Sequence, residues 1–415
     1  MDGDFTVLSL ELLPADSELE LQGVLSVTGG MYWDNQHIRG GTILLKTGSH
    51  SVWAGGILLS NGVGPGELEV EPGADLTIEV DLQSGVRMIE SEIRNRGVID
   101  FDASDTNPNI MFYAFSMTDA QIWNAPGASL NFDGINNAVL NLTGAGASGV
   151  FNSFGTVTVD DRLTVDLNAL FQSAGHIAVL ENAVLHLRGG ATLDGTAAVG
   201  LNAELGIFAE LAEDHVVINT LTVSGLGHLG LFSSGPDLLS IQYDLNLNLN
   251  ATLSGYLDGS GNGAVVTVAA DCQFLVVGDV SGILNGLTID VRPNATFVVN
   301  CDEFYIMSDA GIVNWGTLVW LSGNIHAGFT AANLDGVPIA NKTGSTMEVK
   351  GDFSFVGIGG PTRMLNNGNL LKSGGVGNAD FSDLLLSGNG TVTINAGCGT
   401  IETMLQTFEV GVTQL

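Results

Sequence analysis

The chain has 415 residues, 45% of them apolar, with 45 Asp and Glu against 12 Lys and Arg for a net charge of −33. Without a Lys/Arg cluster it offers nothing to neutralise phosphates, which argues against nucleic acid, anionic membranes and acidic polysaccharides; divalent cations and cationic partners are compatible, and the charge otherwise favours solubility. Glycine numbers 57 and proline only 9, a mix suited to tight turns and bulges and unlike Pro/Gly-rich disorder, and the absence of a third-position glycine period excludes collagen.

Residues 5–30 alternate apolar and polar side chains (Phe5-Thr-Val-Leu-Ser-Leu-Glu-Leu, then Leu19-Glu-Leu-Gln-Gly-Val-Leu-Ser-Val) and predict the first strands. The rhythm continues in runs of four to six residues, among them Thr42-Ile-Leu-Leu, Gly56-Ile-Leu-Leu and Glu67-Leu-Glu-Val. Such runs are too short for helices and the right length for solenoid strands. One phrase then recurs: a turn-forming residue followed by apolar–x–apolar. It reads Gly73-Ala-Asp-Leu-Thr-Ile, Gly127-Ala-Ser-Leu-Asn-Phe, Asn182-Ala-Val-Leu-His-Leu, Asn294-Ala-Thr-Phe-Val-Val and Gly344-Ser-Thr-Met-Glu-Val. A second phrase answers it about one coil later, in Asn95-Arg-Gly-Val-Ile, Asn152-Ser-Phe-Gly-Thr-Val-Thr-Val, Asn314-Trp-Gly-Thr-Leu-Val-Trp and Asn366-Asn-Gly-Asn-Leu-Leu.

Turn punctuation at a fixed period signals stacked coils. The predicted fold is all-β, a right-handed parallel β-helix (β-solenoid) with coils of ~20–28 residues and three short strands each. At ~4.8 Å per coil, some 15–18 coils would give a rod of roughly 70–90 Å. No Pro/Ser/Gly-rich linker divides the chain, so residues 1–415 are read as one domain. Three stretches interrupt the beat: 100–124, 207–217 (compatible with one or two helical turns) and 325–343 (read as a loop bulging from one coil). No apolar run reaches ~18 residues, so no transmembrane segment is expected. The opening Met1-Asp-Gly-Asp has neither the charged nor the apolar region of a secretory signal, and the sequence reads as a segment of a longer secreted protein.

The last third carries a likeness to a known group. Trp320-Leu-Ser-Gly-Asn-Ile, Ile339-Ala-Asn-Lys-Thr-Gly-Ser-Thr-Met-Glu-Val-Lys-Gly-Asp, Leu365-Asn-Asn-Gly-Asn-Leu-Leu-Lys-Ser-Gly-Gly and Leu386-Ser-Gly-Asn-Gly-Thr-Val-Thr-Ile-Asn-Ala-Gly resemble the Asn/Gly-rich repeats of bacterial surface proteins of the filamentous-haemagglutinin and autotransporter-passenger kind. The resemblance covers about residues 290–400. It implies a right-handed parallel β-helix at the cell surface or outside the cell, with adhesion or scaffolding as the role.

β-Helices also host enzymes that act on polysaccharides, and a glycosidase needs two carboxylates flanking the bond. The candidates are Asp160 and Asp161, then Asp302 and Glu303, each pair placed just after a strand where a turn is expected. No basic cluster suited to a lyase is visible, and no His-Glu-x-x-His or Gly-x-Ser-x-Gly motif occurs. The best metal candidates are Asp100, Asp102, Asp105, Asn107 and Asn109, whose oxygens at near-alternate spacing suit calcium; the plain alternative is an Asx-rich turn. Tyr32, Trp33, Trp53, Trp123 and Trp315 are candidates for a glycan platform. Trp315 is expected to be exposed and Trp320 to be core. His186, between Leu185 and Leu187, is expected on the outer face. Cys272, Cys301 and Cys398 are too few for a disulfide framework and are expected to be small buried side chains, the alternative being a Cys272–Cys301 bridge between neighbouring coils. The sequence thus predicts a non-enzymatic extracellular rod, adhesive or structural, that presents turns and loops to a surface or matrix partner, a glycan being one candidate, or associates end to end with its own copies. The alternative is a polysaccharide-binding or polysaccharide-degrading β-helix with an acidic groove.

Overall fold

Short alternating strands can bury one face only if the next coil supplies the same pattern, and that is the arrangement found. The computed structural model describes the chain except residues 1–3, 13–17, 35, 63, 81–85, 104–111, 135–138, 145–148, 213, 260–262, 279–280, 329–336, 406–411 and 415. It is all-β, with no helix among the described residues. Parallel strands stack into a β-solenoid of about 15 turns. The chain divides into two compact units, Met1–Phe208 with Gly225–Gly227, and Ala209–Ser224 with His228–Leu415.

In the first unit, Val150–Ser153, Thr156–Val159 and Thr164–Asn168 pair in parallel with Leu170–Ser173, His176–Val179 and Val184–Leu187. Three strands therefore make one coil. In the second unit, Ala264–Val268, Leu287–Val291, Gly311–Asn314, Ile339–Asn341 and Thr362–Asn366 form one parallel face. Side-chain bonds between stacked positions span 20 residues at His176–Thr196 and 31 at Asp100–Asn131, so the longest coils exceed the period expected from the phrases.

Alternate residues face inward and are buried. Trp33 and Trp53 stack with centroids 4.3 Å apart and planes 4° apart, and Phe101, Phe115 and Phe132 continue the aromatic core of the first unit. Trp320 stacks on Phe381 at 5.7 Å in the second. Buried indoles need an acceptor. Trp33 Nε1 donates to Gln36 O (2.8 Å), Trp53 Nε1 to Gly55 O (2.9 Å) and Trp320 Nε1 to Gly323 O (2.8 Å).

The two recurrent phrases are one corner in two lengths. In the longer form the amide of the fourth residue donates to the carbonyl of the first, as Ala74 N does to Glu71 O, Ala128 to Ala125, Ala295 to Arg292 and Ser345 to Lys342. The third residue has positive φ: Gly73 (78°), Gly127 (83°), Asn294 (66°) and Gly344 (87°). With Pro72, Pro126 and Pro293 at the second position, this is the signature of a type II turn. The shorter form, Asn/Ser-x-Gly, lies directly on it. Asn95 pairs with Val70 while Val98 pairs with Asp75, so Asn95-Arg96-Gly97 caps the turn at 71–74. A Cβ on Gly97 would lie 2.3 Å from Ala74 O and 2.5 Å from Glu71 O; on Gly316 it would lie 2.3 Å from Ala295 O and 2.4 Å from Arg292 O. Only glycine permits that approach.

At five of these stacked corners the inward residue that leads into the corner is an asparagine. Asn95 Nδ2 donates to Asn124 Oδ1 (2.8 Å), and Asn124 Nδ2 donates to Ser153 Oγ (3.1 Å). In the second unit Asn314 Nδ2 donates to Asn341 Oδ1 (2.8 Å) and Asn341 Nδ2 to Asn366 Oδ1 (2.7 Å). These asparagines are 0–2% exposed. Each also serves the backbone: Gly97 N donates to Asn95 Oδ1, and Gly316 N to Asn314 Oδ1. The buried amides are thereby satisfied along the stack.

Strand enters each of the stretches that interrupt the sequence rhythm, while residues 104–111 and 329–336, the latter the middle of the predicted loop, lie outside the described residues. Within 100–124 lie the end of Val98–Ala103, all of Phe112–Thr118 and Gln121–Asn124. At 207–217 no helical turn forms, because Glu204–Ala209 and the strand beginning at Val216 are held in the stack, where pairing overrides local helix propensity. Within 325–343, Ile325 to Gly328 close the strand Thr317–Gly328, and Ile339–Asn341 opens the next coil.

A charged side chain, Lys372, occupies an inward position. Lys372, the last residue of Asn369–Lys372, is 0% exposed. Its Nζ donates to Gly351 O (2.9 Å) and Asp352 Oδ1 (2.7 Å). The Lys372 hydrogen bond, with the Gly377 amide, holds the Asp352 carboxyl below its usual value. A carboxyl lowered on folding stabilises above its ordinary range and loses that contribution as pH falls below it.

The asparagine ladder and the buried lysine can each be probed by substitution. Asn341→Ala strands the amide of Asn314 and the carbonyl of Asn366, and should lower the unfolding free energy by about 2–3 kcal/mol; Asn131→Ala, on the part-exposed outer face, should cost under about 1 kcal/mol by the same urea titration. Asp352→Asn, which leaves a buried ammonium without its counter-charge, should lower the melting temperature clearly, whereas Lys372→Met should come out near neutral.

Candidate functional site

Of the predicted metal set, Asp100 and Asp102 sit on the strand Val98–Ala103, facing outward between buried Ile99, Phe101 and Ala103. Asp105, Asn107 and Asn109 lie outside the described residues. Stacking brings other acids to the same column. Asp102 pairs with Glu79 in one neighbouring coil and Asp133 in the other, and Asp160, whose amide donates to Phe132 O, lies beside Asp133 in the next. Asp100 Oδ1 accepts from Asn131 Nδ2 at 2.7 Å. Burial first, then the charges of Asp100, Asp160 and Asp102, push the Asp133 carboxyl up to about 6. Sequence reasoning passed over Asp133, although it follows the repeated phrase at Gly127 directly; its neighbours come from coils about 30 residues away. Among the described residues no group of three or more His, Cys, Asp or Glu side chains is arranged to hold a metal ion.

The predicted catalytic pairs are not brought together with one another. Asp160 and Asp161 do fall in a turn, where Asp160 Oδ1 accepts the Asp161 amide at 2.8 Å and Asp161 Oδ1 accepts from Asn182 Nδ2 at 3.1 Å. Asp302 and Glu303 lie inside the strand Thr296–Met307, where the pairing register slips, instead of in a turn. Glu303 is held by Asn324 Nδ2 (3.2 Å) and paired with His326, whose ring stacks on Tyr305. His186 faces outward as expected, with Nδ1 2.8 Å from Asp166 Oδ1 and its ring against Phe208; the bond from His186 holds the Asp166 carboxyl down.

The aromatic platform divides. Trp33 and Trp53 are wholly buried and unavailable to a ligand. Trp315 is 43% exposed and Tyr32 39%. All three cysteines are free: Cys301 is buried, Cys272 and Cys398 only partly so. Cys272 and Cys398 take the small fourth position of the corner turn, where alanine or serine stands elsewhere. Burial raises the thiols of Cys272 and Cys301, which makes them poor nucleophiles.

Clefts indent the outer faces, and two of them are lined by described residues of mixed chemistry. One, of about 590 Å³ in the first unit, is lined by Glu90, Glu92, Asp119, Gln121, Ser60 and backbone-rich glycine turns. The other, of about 570 Å³ in the second unit, is chemically richer. Its floor is the outer side of the parallel face. Asp244, Val265 and Thr288 form one row across adjacent coils, and Asn246, Thr267, Asp290 and Val313 the next. Arg292, Trp315 and Lys342 stand at the corner that follows these strands. Arg292 Nη2 is 2.9 Å from Asp290 Oδ2, and Lys342 Nζ lies 5.3 Å from the Trp315 ring centroid. Asp290 Oδ1 is buried, and among the described residues no donor reaches it. Burial raises the Asp290 carboxyl, with Arg292 opposing.

No protein-family model matches the chain, and no curated protein matches it. Among the described residues no helix is long and apolar enough to cross a membrane.

The acidic column sets a pH dependence. Asp133 rises on folding from an ordinary 3.8 to about 6, so the folded state binds the extra proton and ionisation destabilises it. Stability should fall as pH rises through that window, by about 1–2 kcal/mol once solvent screening is discounted. Asp133→Asn should remove that component and shift the urea midpoint upward at neutral pH.

Proposed function

We propose that this protein is a non-enzymatic extracellular β-solenoid, a structural and adhesive scaffold that presents its outer strand faces and corners to a surface or matrix partner. The single observation that carries the reading is the use of outward polar side chains. They bond coil to coil: Lys46 to Glu71 (2.7 Å), Arg96 to Glu69 (2.9 Å), Asn168 to Asn141 (2.8 Å) and Asn285 to Asp258 (2.8 Å). Such bonds knit neighbouring coils and leave the shape of the stack as the working feature. Strand stacking is a passive device, and a partner is then read by the side chains that the stack does not need. The Asn/Gly-rich repeats of residues 290–400, which resemble those of bacterial surface proteins, support a place outside the cell. Self-association through exposed strand edges belongs to the same reading.

A second reading, glycan hydrolysis, is favoured by one observation: Asp133, raised to about 6, stands in one column with the carboxylates of Asp102 and Asp160, an acid beside candidate bases as a glycosidase requires. Reducing-end release from neutral and acidic polysaccharides discriminates the two. The scaffold reading predicts no turnover by the wild-type protein; turnover that disappears in Asp133→Asn or Asp160→Asn would replace it with the enzymatic one.

A further inference from the structure

We infer that the groove formed by Asn246, Thr267, Thr288, Asp290 and Trp315 is a binding site for a neutral hexose-containing glycan. The site gives a ligand class to the presenting surface proposed above, and rests on that reading only in taking the outer face to be open to a partner.

Four features of the groove lead there. The first is Trp315. It is the middle residue of an Asn-x-Gly corner, a position the fold leaves free: the same place holds Arg96 and Asn367 in other coils. The corner needs Asn314 and Gly316, not an indole, yet a tryptophan stands there with 43% of its surface open. An exposed, rigid, amphipathic ring beside polar groups is the usual surface for the apolar face of a sugar.

The second is the set of hydrogen-bonding groups on the floor. Asn246, Thr267 and Asp290 occupy one row in consecutive coils, and Thr288 stands beside Asp290 two residues back on the same strand. The coil separation, about 4.8 Å, spaces these groups at roughly the length of a pyranose ring. Together they offer an amide, two hydroxyls and a carboxylate, which is donor and acceptor chemistry matched to vicinal hydroxyls.

The third is Asp290 itself. Arg292 engages Oδ2 at 2.9 Å, which fixes the carboxyl, while Oδ1 is buried with no donor among the described residues. A buried acceptor left unpaired is costly, so a donor brought to this carboxylate, such as a sugar hydroxyl, is favoured.

The fourth is charge. Two carboxylates, Asp244 and Asp290, face two cations, Arg292 and Lys342, so the lining cancels. With −33 over the whole chain, long-range repulsion disfavours polyanions. A neutral glycan avoids that repulsion and gains from the groove's local polarity. The volume of about 570 Å³ lies within the ordinary range of small-ligand sites.

Titration of the intact protein with gluco-, manno- and galacto-hexaoses, followed by tryptophan fluorescence and calorimetry, tests the site; a galacturonate hexaose is the acidic arm. Binding to at least one neutral hexaose is expected, roughly tenfold weaker in Trp315→Ala and partly restored in Trp315→Phe, with circular dichroism melts showing that each variant folds. Asp290→Asn should weaken it without changing the fluorescence of the free protein. The proposal is overturned if no neutral hexaose binds, if binding survives Trp315→Ala unchanged, or if the galacturonate binds best. Absence of binding with absence of turnover would leave the scaffold reading standing, whereas turnover would remove that reading and not the site.

Discussion

Backbone meets backbone at the corners, and the stack depends on that approach. A glycine α-carbon of one coil rests against two carbonyl oxygens of the type II turn in the coil before it, at Gly97 over 71–74 and again at Gly316 over 292–295. The same contact recurs at Gly155 over Ala125 and Ala128, and at Gly368 over Lys342 and Ser345. Longer and shorter corners alternate there because a four-residue turn leaves a shallow seat that Asn-x-Gly fits. The asparagine two places before the glycine then closes the corner on itself and reaches the next coil through its amide. Strand register follows, since a one-residue slip would turn each apolar column outward.

From that register comes the distribution of chemistry. Inward columns are mainly aliphatic and aromatic, with the hydrogen-bonded asparagine ladders and Lys372 among the polar exceptions. Outward columns place like residues above like. Where the like residues are acids, as at Glu79, Asp102, Asp133 and Asp160, burial and then repulsion from neighbouring carboxylates raise the proton affinity of Asp133 and lower stability at neutral pH. Where they differ in type, as between Arg292, Trp315 and Lys342, a mixed surface results that a ligand can read. A repetitive fold thus gains local individuality through the residues its corners do not constrain.

The strands and the corner were legible in the sequence because both are local. A Gly or Asn at positive φ, an alanine after it and an apolar alternation are written within six residues. Trp320 in the core and His186 on the outer face followed from parity, and Trp315 outside from its variable place in the Asn-x-Gly turn. What was not legible depends on alignment between coils of unequal length. Trp33 and Trp53 looked like a surface platform until register placed both inward, one upon the other. Asp133 carries no motif; its raised carboxyl comes first from burial and then from Asp100, Asp160 and Asp102, which adjacent coils bring beside it. The groove at Asp290 draws its residues from five successive coils, and only Trp315 among them was marked by its sequence context. Asp302 and Glu303 were expected in a turn and instead sit in a strand, because the register slip after Val299 keeps the chain paired on either side.

Amide hydrogen exchange in a Gly316→Ala protein tests the corner most directly. The added methyl would lie 2.3 Å from Ala295 O and 2.4 Å from Arg292 O, so the two coils must part. The account predicts faster exchange at the amides of Ala295, Trp315, Thr317 and Thr346, which close or flank this corner, with the corner at Gly97 and Gly155 unchanged. Unaltered exchange at those four amides would contradict it.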